Sequence, residues 1–146
     1  MKKIATLTVL LIAIFTRVAF AVDGTVTTVI DWISGQPVKI VKITWTSTAA
    51  GEVWQSVGEV NGKVFAVRTD PSAAVGLVPT DNYDVYVKEF DTAYSYLTTT
   101  LENRDTANTE WVAPSNVPLY GNVGFSVSAS GDITSGDCWL YVEVPK

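Results

Sequence analysis

Between residues 122 and 129 the chain alternates without a break. Val123, Phe125, Val127 and Ala129 fall at one parity, and Asn122, Gly124, Ser126 and Ser128 at the other. Successive side chains of an extended strand point to opposite faces, so this period of two marks a strand with one face in a core and one outside it. The same period recurs along the chain. Val41, Ile43 and Trp45 oppose Lys42 and Thr44; Tyr83, Val85 and Val87 oppose Asp84, Tyr86 and Lys88; Leu140, Val142 and Val144 oppose Trp139, Tyr141 and Glu143. Strands are accordingly expected over 25–31, 38–47, 83–89, 122–129 and 138–144, all rich in the Val, Thr, Tyr and Trp that suit a pleated, half-buried surface. Turn residues punctuate them at short intervals: Ser34-Gly35-Gln36-Pro37, Ala49-Ala50-Gly51, Asp91-Thr92, Ser130-Gly131-Asp132 and Ser135-Gly136-Asp137. Residues 93–100 fit a strand or a single helical turn, and 101–108 read as irregular. No segment carries a clear amphipathic helix. The expected fold is all-β, an antiparallel β-sandwich or jelly-roll-like barrel of about seven to nine short strands.

Two pairings are expected within that fold. Val60-Asn61-Gly62-Lys63 has the Asn-Gly pair that a type I′ turn favours, so a hairpin is expected over 52–68 with Asn61 and Gly62 at its tip. The strands at 122–129 and 138–144 are joined by a short connection and are expected to pair antiparallel, their apolar sets facing one interior.

The N-terminal segment has a different character. Lys2 and Lys3 precede an apolar run from Ile4 to Phe15, and Ala19-Phe20-Ala21 places small residues where a signal peptidase reads them. That layout is expected for a signal peptide over 1–21, cleaved before Val22, followed by a single β domain over 22–146. The run is short of the ~20 residues that span a bilayer, so no membrane association is expected after cleavage, and the chain is expected to be exported: periplasmic, extracellular or virion-associated. Three of the ten basic residues lie in that segment, which leaves seven against fifteen acidic ones, a formal charge of −8. Such a charge repels phosphate backbones, and nucleic acid is not an expected partner.

Chemistry is constrained mainly by what is missing. Histidine is absent and there is a single cysteine, Cys138, so triads built on histidine, histidine-ligated metals and structural zinc sites are excluded, as is an internal disulfide. Cys138 sits in an apolar run and reads as a small packed side chain. Asp81, Asp84, Glu89, Asp91, Glu102 and Asp105 are close in sequence, but most stand beside turn residues, where acids commonly cap loops. A carboxylate enzyme and a calcium site at Asp81, Asn82 and Asp84 are the weaker readings of the same residues; no cofactor or metal is expected. Arg104, between Asn103 and Asp105, is expected to brace its loop. Strand alternation turns Tyr86, Trp139 and Tyr141 away from the inward sets. Outward aromatics of this kind are candidates for a contact surface, either with protein or with sugar rings.

Several segments together resemble small virion-type structural proteins of tailed bacteriophages and prophages, whose biochemical role is unknown. The resemblance is carried by Val41-Lys42-Ile43-Thr44-Trp45-Thr46-Ser47, Ala50-Gly51-Glu52-Val53, Val60-Asn61-Gly62-Lys63-Val64, Thr69-Asp70-Pro71, Pro79-Thr80-Asp81-Asn82-Tyr83-Asp84-Val85, Asn103-Arg104-Asp105-Thr106, Gly121-Asn122-Val123 and the stretch from Gly131 to Tyr141. Phe90-Asp91-Thr92 departs from it, standing where an Asp-Gly turn is usual. The resemblance implies a non-enzymatic structural or interaction protein acting by self-association or docking through its sheet surface. Export fits a surface or periplasmic role in an infected or lysogenic host. The alternative is an exported carbohydrate-binding module in which Tyr86, Trp139 and Tyr141 stack on sugars.

Overall fold

The computed structural model describes residues 24–80, 82–92, 94–97 and 101–145. The expected signal peptide, its cleavage point and Asp81 lie outside the described residues. Among the described residues, ten strands, all paired antiparallel, form two sheets. The first sheet has six strands. β1 (Thr25–Trp32), β2 (Val38–Thr46), β10 (Ser135–Glu143) and β4 (Gly62–Pro71) lie side by side, and β7 (Glu110–Val112) and β8 (Val117–Leu119) share the outer edge of β4. The second sheet is ordered β3 (Val53–Glu59), β9 (Asn122–Ser128), β5 (Asp84–Glu89), β6 (Ser95–Leu97). The architecture is the expected sandwich, with a strand count just above the expected range.

The interior is built from the parities read in the sequence. Val41, Ile43 and Trp45 of β2 and Cys138, Leu140 and Val142 of β10 face Val85 and Val87 of β5 and Val123, Phe125 and Val127 of β9, all essentially without solvent exposure. Each fully buried Val, Leu, Ile or Phe side chain contributes on the order of 1.5–3 kcal/mol relative to exposure, which is what holds two sheets together. Val144 and Ala129 were expected in these sets and are not in them. Val144 lies beyond the end of β10, and Ala129 has φ 58°, which turns the chain out of β9.

The expected hairpin does not form. β3 pairs with β9 and β4 with β10, so Asn61 and Gly62 carry the chain from one sheet to the other. The reason lies in β4. Val64 and Val67 are three residues apart, and a regular strand puts such residues on opposite faces. The hairpin register would have set Val67 against Ser56, on the outer side. A bulge opposite Tyr141/Val142 instead turns both valines inward, where neither is exposed. Nor does Asn61 adopt the positive φ a type I′ turn needs. Its Oδ1 accepts a hydrogen bond from Gly121 N at 3.0 Å, while Val60 N donates to Gly121 O at 2.9 Å. Gly62 is still required, at φ 145° and with a Cβ position only 2.4 Å from Glu143 O.

The second expected pairing is also corrected. β9 and β10 are central strands of opposite sheets, and their apolar residues meet across the interior instead of side by side. The connection between them is fastened to the turn after β2. Ser47 N donates to Thr134 O at 2.8 Å, Thr134 N to Ser47 Oγ at 2.9 Å, and Ser130 Oγ to Gly51 O at 3.0 Å. Ser47, Ser130 and Thr134 are buried, and these bonds satisfy polar groups that would otherwise be costly there.

Candidate interaction surfaces

Cross-strand register lines up residues of five strands on the outer face of the six-stranded sheet. Val29 lies opposite Lys42, Lys42 opposite Trp139, Trp139 opposite Arg68, and Arg68 opposite Trp111. Cations and indoles alternate along this row and touch. Lys42 Nζ is 5.3 Å from the Trp139 ring centroid, the Arg68 guanidinium carbon 4.3 Å from the same ring and 6.0 Å from that of Trp111. A cation over an aromatic face is held by the ring's quadrupole, and Arg adds planar stacking.

Two further rows flank it. On one side Thr44, Asp137 and Asp70 lie in register. Two carboxylates directly opposite each other are unfavourable, and the neighbouring row supplies the counter-charges. Lys42 Nζ is 3.1 Å from Asp137 Oδ2 and Arg68 Nη2 2.8 Å from Asp70 Oδ2. On the other side Tyr141 packs between Trp111 (ring centroids 5.3 Å apart) and Phe65 (6.3 Å). Trp111 is 61% exposed and Val29 51%, so the row presents apolar area to solvent at both ends.

Trp139 and Tyr141 therefore stand together, as outward residues of one strand should. Tyr86, the third candidate, does not join them. It is on β5, on the outer face of the other sheet. There Trp54, Ser126 and Tyr86 form a cross-strand row, and Lys88 Nζ lies 4.8 Å from the Tyr86 ring centroid and 5.9 Å from that of Trp54. The Tyr86 hydroxyl donates to Asp84 Oδ2 at 3.3 Å. Burial raises its pKa, a hydrogen bond with Ser128 opposes that, and the Asp84 carboxylate adds to it. Trp54 stacks on Phe90, with centroids 5.3 Å apart and planes at 19°.

Sequence reading missed Trp54, Lys42, Arg68 and Trp111 as surface-forming residues. For Trp54 a signal was present. Gly124 interrupts the polar parity of an otherwise regular strand, and glycine within a strand marks close approach by another group. That group is the Trp54 indole, whose Cη2 would lie 2.2 Å from a Cβ at position 124.

Three of the clustered acids, Asp84, Glu89 and Asp105, serve loops. Asp84 Oδ1 accepts from Asn103 N at 2.8 Å, and Asp105 caps its own turn by accepting from Ala107 N (2.6 Å), Asn108 N (3.0 Å) and Asn108 Nδ2 (2.9 Å). Those bonds, that from Asn108 first, hold the Asp105 carboxyl below its usual pKa. Glu89 accepts from Thr92 Oγ1. Arg104 donates to Glu102 O from Nη2 at 2.7 Å and lies 3.5 Å from Glu110, bracing the loop as expected. Among the described residues no cluster of three or more acidic or thiol side chains is placed to hold a metal ion, and no helix is long and apolar enough to cross a membrane. Comparison with protein-family models, curated proteins and solved structures finds no match.

Proposed function

We propose that this chain is a non-enzymatic interaction protein of the phage-virion structural type, exported after cleavage behind Ala21, and that it self-associates through the outer face of its six-stranded sheet. The observation that carries this is the Lys42–Trp139–Arg68–Trp111 row, which spreads aromatic area and fixed charge across several strands. Aromatics and Arg are the residues on which interface energy concentrates. A second copy is the occupant that the charge layout favours. The cation row lies beside the Asp137/Asp70 row, so two copies packed face to face about a two-fold axis that lies between them, parallel to the rows, can set each acidic row against the other's cations, an isologous contact.

Light scattering across a concentration series tests it. The described domain should exceed its monomer mass at high concentration. Trp139→Ala or Trp111→Ala should shift the equilibrium toward monomer by about tenfold or more, as loss of a central aromatic does, while circular dichroism stays unchanged. A strictly monomeric protein, or association indifferent to both substitutions, overturns the reading.

A further inference from the structure

The outer face of the four-stranded sheet has a different character from the face just discussed. It holds a trough of about 750 Å³, open to solvent. Its floor is β9 at Ser126 and Ser128, its walls are Trp54 of β3 and Tyr86 of β5, and Glu52 and Lys88 line it as well. Trp54 and Tyr86 flank Ser126 in the cross-strand register, and the Lys88 ammonium lies between their rings, 5.9 Å from the Trp54 centroid and 4.8 Å from that of Tyr86.

We propose that this trough binds neutral saccharide, one pyranose unit stacked on the exposed part of the Trp54 indole with its hydroxyls toward Lys88, Glu52 and the serines of β9. The chemistry of the lining selects that class. The C–H faces of a pyranose are apolar and suit aromatic rings, while its equatorial edge is a belt of hydroxyls. The trough offers both partners: two aromatics as walls, with serine hydroxyls, a carboxylate and an ammonium around the floor. Its volume is in the range of small-ligand sites, and its lining is mainly polar, with Thr48, Glu52, Gln55, Lys88, Ser126 and Ser128 around the two aromatics, which suits a ligand edged with hydroxyls. Glu52 and Lys88 balance in charge, and the expected mature charge of −8 disfavours a polyanion. The neutral sugar remains.

Trp54 is positioned for this by its neighbours. Its benzo ring lies over Gly124, where any side chain would displace it, and Phe90 stacks on it. Even so, 41% of Trp54 stays exposed. An indole fixed by contacts of this kind loses little freedom on binding, which is how rigid aromatics gain affinity.

The test is a titration with maltohexaose, cellohexaose, xylohexaose and chitohexaose, read by tryptophan fluorescence and by retardation in glycan-containing native gels. At least one should bind. Trp54→Ala should weaken that binding about tenfold or more, the loss expected of one stacking contact. Gly124→Ala, which keeps the indole but pushes it off its seat, should weaken it as well. Trp139→Ala should bind the sugar normally, since it sits on the opposite face; this separates a failure here from a failure of the self-association reading. No binding to any of the four, or binding unchanged in Trp54→Ala, overturns the proposal. So does a Trp54→Ala protein whose only change is a lower mass in light scattering, because the face would then be a protein contact.

Discussion

Cys138 shows how much a single position can report. It lies on the inward parity of β10, opposite Ile43 and Thr69 in the sheet, and is fully buried. Burial, with the Asp137 carboxylate adding to it, pushes the thiol pKa far above its ordinary value. The thiolate is the nucleophile, so the native protein should react with a disulfide reagent only through opening of the sandwich, even at mildly alkaline pH. Kinetics of labelling with Ellman's reagent, with and without urea, check this; rapid labelling of folded protein at pH 8 would place the thiol at the surface. Gly62 reports on backbone. Valine there would have to adopt φ 145° and place its Cβ against Glu143 O. Gly62→Val should therefore cost about 2 kcal/mol or more, measured as a lowered urea midpoint. Sequence reasoning identified this glycine as indispensable but attributed the need to a hairpin tip, whereas the structure attributes it to a crossing between sheets.

The seven longer strands are legible in this sequence, β6 reads as either a strand or a helical turn, β7 and β8 are not expected from it, and the partners of the strands cannot be read. Alternation reports which parity of a strand is buried, because solvent and core act on each residue separately. It does not say which strand lies alongside, because several neighbours satisfy the same parity. The bulge in β4 is the clearest instance. Nothing local announces it, and only the demand that Val64 and Val67 both be buried makes it necessary. The same limit applies to the surfaces. Trp139 and Tyr141 could be read as outward from their own strand, but Lys42, Arg68 and Trp111 join them through register between strands distant in the chain. β9 permits a direct check of parity. Phe125 is wholly buried and Ser126, its neighbour, sits on the outer face. Phe125→Ala should cost roughly 3–5 kcal/mol, against less than about 0.5 kcal/mol for Ser126→Ala. Equal shifts in the denaturation midpoint would mean the assignment of one buried and one outer face to β9 is wrong.

At the scale of the whole molecule, the two sheets divide the surface into independent halves. One face is tiled with Trp139, Trp111, Lys42 and Arg68, and the other carries Trp54, Phe90 and Tyr86, with the buried layer of Val, Leu, Ile and Phe between them. Stacked sheets are about 10 Å apart, and Trp54 and Trp139 point away from each other on opposite outer surfaces with no neighbour in common among the ring contacts. Substitutions that far apart usually add. Each tryptophan is partly exposed, so removing either should cost no more than about 2 kcal/mol, less than emptying a core site. The double substitution Trp54→Ala/Trp139→Ala should then equal the sum of the singles within about 0.5 kcal/mol, in a single cooperative urea transition, because both faces rest on one interior. A coupling well above that value would mean the central layer transmits strain from face to face. In that event a ligand on one sheet would alter association through the other, and the two surfaces would form one linked device.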